Sequence, residues 1–244
     1  VRPLLALLVW ICCCAPAAAD EPLVVDLSNH LVAITTGFSG ASVLLFGTQT
    51  GEGDVVVVVR GPIGSERVRR RERFAGIWVN RAMATIDDVP AYYRVAATRP
   101  LAEVAPVAVL DRHQIGLDHL NLPVRRRDRA VGDNDYRQAL LRLKQASDLY
   151  RREAEPVTFV GGNLFRTEIN FPANVPTGFY AVEVYMMRYG EVISAQTTPL
   201  VISKTGLGAR IFEFAHRHGP FYGLLAVALA CAGGWLAALL FRRR

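Results

Sequence analysis

The chain has 244 residues, 51% of them hydrophobic and 20% charged, with 28 Lys and Arg against 22 Asp and Glu for a formal net charge of +6. Such a composition excludes a disordered polyelectrolyte, and the length allows one or two domains with an ordinary packed core. Four of the basic residues (Arg2, Arg242, Arg243 and Arg244) lie at the two ends, leaving 24 against 22 between them, about +2, without the excess of positive charge that nucleic-acid binding needs.

The N-terminus carries Arg2, an apolar run from Leu4 to Cys14, then Pro16 and Ala17-Ala18-Ala19 before Asp20. A basic residue, a short apolar run and small residues before a cleavage point predict a signal peptide over 1–19, the run being too short to span a bilayer. Cys12 follows Trp10-Ile11, which does not fit a lipoprotein site. Val1 suits a bacterial start codon and points to the periplasm as destination. Cys12, Cys13 and Cys14 fall in this segment and Cys231 near the C-terminus, so residues 20–220 can form no disulfide and no thiolate metal site.

From Leu23 to Thr98 the pattern is of short strands: Leu23–Leu27, Leu31–Thr36, Ser42–Phe46, the five valines Val55–Val59, Arg67–Trp78 and Tyr92–Ala97. Turn residues such as Gly37-Phe38-Ser39-Gly40 separate them, and valine favours a pleated, buried surface. Regularly spaced short strands predict an Ig-like β-sandwich, with residues 20–99 as its first part, or a pair of small Ig-like β modules. Residues 100–155 read as a helical segment. Leu101, Val104, Val107 or Ala108, and Leu110 share a helix face despite Pro106, and a second helix runs from a cap at Asp133 or Asn134 to about Ala154 with Tyr136, Leu140, Leu143, Ser147 and Tyr150 on one stripe.

The sandwich resumes over 156–204. Leu164–Phe171 alternates, a turn occupies Pro172–Gly178, Phe179–Arg188 and Glu191–Gln196 form a hairpin over Tyr189-Gly190, and Leu200–Ser203 is a last strand. Residues 205–220 read as an amphipathic helix at a membrane surface (Leu207, Ile211, Phe214, Ala215), broken by Gly219-Pro220. Phe221–Phe241 is uncharged and, as a helix, roughly 31 Å long, matching the hydrocarbon core of a bilayer. Arg242–Arg244 behind it predict a cytoplasmic tail over 242–244, and so a single-pass inner-membrane protein whose main domain is periplasmic.

The Gly37–Ala41 turn before Leu44-Leu45-Phe46-Gly47, the Pro172–Gly178 turn before a Tyr-rich hairpin and the single C-terminal anchor together resemble the alphaproteobacterial transmembrane protein family. The likeness extends over essentially the whole mature chain. It rests on structural turns, so it carries over no active residue. It implies association with a sulfite-exporter-type permease.

Four features could carry function. Arg67, Arg69, Arg71 and Arg73 alternate along one strand, so four guanidiniums would share a face. Such a row could hold an oxyanion, acidic lipid headgroups or a partner, and its plainer role is a solvated face that blunts a sheet edge. Asp111, His113, Asp118 and His119 are the one cluster with metal-ligand chemistry, and a surface turn explains them better. His216 and His218, beside the bilayer, read as interfacial residues. Ala226, Ala230, Gly234 and Ala238 recur every four residues in the anchor, which would let a second helix approach closely or is the chance product of an Ala-rich span. No thiol nucleophile, G-x-S-x-G elbow or phosphate-cradling glycine loop stands between residues 20 and 220. The expectation is a non-enzymatic accessory or interaction subunit of a membrane partner such as an anion exporter, without catalytic residues, metal or cofactor, and either bound to a multi-span transporter or self-associated. A free-standing ligand-binding or sensing module is the second reading, a hydrolase the third.

Overall fold

The computed structural model describes residues 22–74, 77–126, 132–205 and 215–241. Strand β4 (Asp54–Arg60) lies at its centre, with Val55 to Val59 all buried. A strand with one wet face alternates, so an unbroken buried run must be covered on both sides. A facing sheet supplies one cover and the helical insertion the other.

The sheet containing β4 has six strands in the order β2 (Leu31–Ile34), β13 (Glu191–Lys204), β12 (Gly178–Arg188), β4, β7 (Tyr93–Ala97), β9 (Glu155–Pro156). On β4, Val57 lies antiparallel between Val184 and Ala96, whereas β2 and β9 join in parallel. The facing sheet is antiparallel throughout, in the order β1 (Leu23–Leu27), β3 (Gly40–Gln49), β11 (Leu164–Pro172), β10 (Thr158–Val160). It alternates cleanly: Val25, Leu45, Phe165 and Ile169 are buried, while Val24, Leu44, Phe46 and Glu168 face solvent. At one end Tyr92, Phe171 and Tyr180 pack ring on ring at 5.1 to 5.9 Å, and the Tyr92 hydroxyl donates to the Asn170 carbonyl at 2.8 Å, joining the sheets. Elsewhere the Gln196 amide on β13 accepts from the Val25 N–H (2.9 Å) and donates to its carbonyl (3.2 Å), occupying groups that an edge strand otherwise offers to another chain. The fold is mainly β, the expected sandwich with a helical insertion.

Several elements differ from expectation, each for a local reason. The segment Arg67–Trp78 is not one strand: β5 (Ile63–Phe74) and β6 (Ile77–Pro90) form a long hairpin that pairs as far as Phe74 and Ile77. With β8 (Val124–Arg126) they make a third sheet. Pro106 does interrupt its helix, giving α1 (Leu101–Val104) and α2 (Val107–His113), because proline carries no N–H to donate into a preceding turn. Helix α3 (Asp133–Ala146) starts from Gly132 and ends eight residues early, at Ser147 and the left-handed Asp148 (φ 54°). Its buried residues are Tyr136, Leu140 and Leu141, and Leu143 is exposed. The hairpin over Tyr189-Gly190 has positive φ at both residues, but the following strand is continuous from Glu191 to Lys204.

The apolar anchor is helix α4 (Gly219–Phe241), exposed along its described length, with Gly219–Ala238 as one candidate membrane span. Of the helix expected before it, residues 215–217 are helical and the turn falls at His218, while 206–214 lie outside the described residues. Gly219-Pro220 begins the anchor and does not break it, since a proline in the first turn has no intrahelical partner to lose. The signal segment and the 242–244 tail also lie outside the described residues.

Gly47 on β3 sits between Val25 and Phe165, and a Cβ there would stand 2.6 Å from the Val24 carbonyl oxygen and 2.7 Å from the Phe165 ring. The fully buried ring fills the space a side chain would take. Gly47→Ala is therefore expected to destabilise the domain by about 1–3 kcal/mol, seen as a lower Tm by near-ultraviolet circular dichroism in detergent. An unchanged Tm would contradict this packing.

Candidate functional site

The hairpin sheet has two unlike faces. Val68 on β5 lies opposite Ala84 on β6, with Ile86 further along, and all three are buried on the side toward α3, where Lys144 pairs with Glu66 at 2.7 Å. On the other side Arg67 and Arg69 are exposed, as their alternation about Val68 predicts. Thr85 lies between Arg67 on β5 and Arg125 on β8, and Arg69 lies opposite Met83. Arg125 is neutralised by Asp87, whose carboxyl is held below the usual range by hydrogen bonds from Ser65 and Arg125. Arg67 and Arg69 make no ion pair among the described residues. The backbone register shifts between Arg70 and Arg71, where Arg81 has no counterpart. Beyond that bulge Arg71 pairs with Asn80 and Arg73 with Trp78, and the side chains of Arg71 and Arg73 lie outside the described residues.

The helical insertion is clamped to the sandwich by charged and phenolic groups. Arg60, the last residue of β4, donates from Nη1 to both Glu183 oxygens (2.9 and 2.7 Å) and from Nη2 to the His113 carbonyl (2.6 Å). Glu183 also accepts from the Tyr185 hydroxyl, and burial together with that bond pushes the Tyr185 phenol up to about 12. The Tyr93 hydroxyl donates to the Gln114 carbonyl (2.7 Å) and accepts from the Gly116 N–H (2.8 Å). Gln114 is left-handed (φ 52°) where α2 ends, so these bonds fix a turn that would otherwise be costly.

Between α1, α2 and the 3₁₀ turn Leu117–His119 lies an open cavity of about 350 Å³, lined by Leu101, Val107, Leu110 and Leu117 with His119 and Arg152 at its rim. The four residues with metal-ligand chemistry take separate partners, and of them Asp118 and His119 line the cavity. Asp111 meets His119 (Oδ1 to Nδ1, 2.5 Å), Asp118 is gripped by Arg152 (2.8 and 2.6 Å), and the His113 ring packs on Tyr185 at 5.3 Å. No group of three or more His, Cys, Asp or Glu converges among the described residues. His216 and His218 are exposed.

Two charged groups, one buried and one half-buried, escape a reading of sequence alone. Arg94 on β7 has a side chain only 3% exposed, bonds Glu155 (2.7 Å) and Asp148 (3.1 Å), and lies over the Tyr92 ring at 5.6 Å. The signal was present, an arginine inside the apolar run Tyr92–Ala97. Arg60 gave a weaker one, at the end of the valine strand. In the anchor, Ala226, Ala230, Gly234 and Ala238 form one ridge of α4, and a Cβ added at Gly234 would meet nothing within 4 Å.

One fold-wide architecture, a β domain followed by a single apolar helix, is thus in place. The family model described as "Putative transmembrane protein", an alphaproteobacterial family, matches residues 22–243. The chain belongs to this family. The match begins just before β1 and runs through the anchor, so domain and helix are family features together. No curated protein matches the sequence.

Removing one partner of a half-buried charge pair leaves the other unsatisfied. Arg60→Met should cost roughly 1–3 kcal/mol and loosen the insertion first, with amide exchange over 101–120 rising before that of β4 and β12. Uniform exchange across all three would show that Arg60 does not hold the insertion.

Proposed function

We propose that the protein is a non-enzymatic accessory or interaction subunit of a multi-span membrane partner, anchored in the bacterial inner membrane by α4 with its sandwich on the periplasmic side. The observation that carries this reading is the union, over one family match, of a folded domain and a candidate span that carries a ridge of small residues. In lipid, helix association relies on close packing and not on the hydrophobic effect, and a ridge of Ala226, Ala230, Gly234 and Ala238 offers that. The charged groups of the domain fit the same reading, since Arg60–Glu183 and Arg94–Glu155 tie its elements together. The family resemblance makes an anion exporter of the sulfite type the partner class of choice.

The cavity beside α2 favours one second reading, a ligand-binding module. Its apolar walls and mixed charged rim have the character of a small-molecule site.

A single purification separates the two. Full-length protein tagged in the periplasmic domain, extracted in mild detergent, should bring down a multi-span membrane protein in stoichiometric amount and lose it in Gly234→Leu. Recovery of the bait alone with its fold intact would overturn the accessory role. A small molecule co-eluting by mass spectrometry and lost in Leu110→Trp would then establish the second.

A further inference from the structure

The sheet β1–β3–β11–β10 gives its inner face to the core, and by the same alternation its outer face should be polar. It is not. Val24, Leu44, Phe46, Val160 and Leu164, drawn from all four strands, point outward and are 38 to 51% exposed. The pairing registers align them in rows across the sheet. One row reads Val24, Thr48, Leu164, Val160 from β1 to β10, and the next reads Asp26, Phe46, Arg166, Thr158. Leu44 follows beside Glu168, and beyond them Ser42 and Asn170 end the face in polar groups. Apolar side chains gathered toward one end of a sheet, with a polar border, are the make-up of a contact surface and not of a wet one. Arg166 stands among them with no ion pair among the described residues.

We propose that this face joins two copies of the chain, packed sheet on sheet about a two-fold axis that runs along the strands between β3 and β11. Such an axis turns β1 of one copy onto β10 of the other and β3 onto β11, so that every row faces itself. Val24 then meets Val160 and Thr48 meets Leu164, which makes the apolar row its own complement. In the next row Arg166 comes over the Phe46 ring of the second copy and beside its Asp26, giving the unpaired guanidinium an aromatic face and an acid. The direction of the chain fits as well. Val25 bonds Gln196 and Leu31 pairs with Val201, so β1 and β13 run the same way in the two sheets. An axis along the strands therefore sends both copies out of β13 at the same end, as two chains whose anchors share one bilayer need. The inference goes beyond the accessory role, since it concerns how copies of the chain pair, with or without a transporter.

The test uses the full chain in membrane vesicles, with its natural cysteines replaced by alanine. Copies carrying Val24→Cys and copies carrying Val160→Cys, expressed together under different tags, should be joined by a short bismaleimide. Val24→Cys alone should not be joined to itself, because the axis puts the two β1 strands on opposite flanks. Ile193→Cys, exposed on β13 of the other sheet, should give no product. Phe46→Glu with Leu164→Glu should lower the yield roughly tenfold or more, since the contact would then bury carboxylates without partners. Both sites are already wet, so an unchanged Tm will show that the domain still folds. Gly234→Leu should leave the yield as it is, which separates this contact from the ridge on α4. Absence of the mixed product from folded protein would overturn the proposal, and so would an undiminished yield in the double glutamate variant. Cysteines at 24 and 160 that are inert to the reagent, with no mixed product, would overturn it in favour of a different chain covering the face.

Discussion

The architecture depends on the double burial of β4. Five valines cannot be left half wet, so the chain must bring one sheet to one of their faces and a helical insertion to the other. At roughly 1.5 kcal/mol or more for each fully buried valine side chain, the run as a whole is a substantial contribution to the core. The order of strands follows from this: β12 and β7 flank β4, and the long connection through residues 98–149 has to cross over the sheet to cover its second face. The insertion is thus part of the core, not an ornament on a finished sandwich.

Polar groups then fix where that cover sits. Apolar packing alone is tolerant of sliding, whereas Arg60 and Tyr93 bind specific carbonyls and an N–H group at the end of α2, with Glu183 holding Arg60 in place. Arg94 does the same for the segment returning from α3, binding the Asp148 carbonyl and the Glu155 carboxylate. Buried ion pairs give little net stability against apolar isosteres, but a mispaired one is costly, so these pairs act chiefly on register. These charged pairs are in this sense committed to the domain's own architecture.

Much of this was legible in sequence, and where legibility failed the cause is physical. Alternation at Leu23–Leu27, Leu164–Phe171 and Phe179–Tyr185 identified strands because one face of each is wet. The arginine run Arg67–Arg73 hid a hairpin, since charged residues carry no apolar period and a single glycine at position 76 was the only turn signal. Helix α3 was overextended because Tyr150 lies at the right spacing from Ser147 and yet is buried outside the helix, its hydroxyl donating to the Pro90 carbonyl. The pairing of Asp111 with His119 and of Asp118 with Arg152 required the folded turn, and the buried role of Arg94 required partners 54 and 61 residues away.

The resulting picture is a β-sandwich with a third sheet built on an arginine-rich hairpin, followed in the chain by one apolar helix that carries a ridge of small residues. The orientation of that unit decides what it can touch. Tyr189, 98% exposed at the tip of the β12–β13 hairpin, is the position at which to ask. Tyr189→Cys, in a chain whose natural cysteines are replaced, would be exposed to a membrane-impermeant maleimide in intact spheroplasts. Full labelling without lysis is the result predicted for a domain outside the cytoplasm. Labelling only after lysis would place the domain inside and contradict the account.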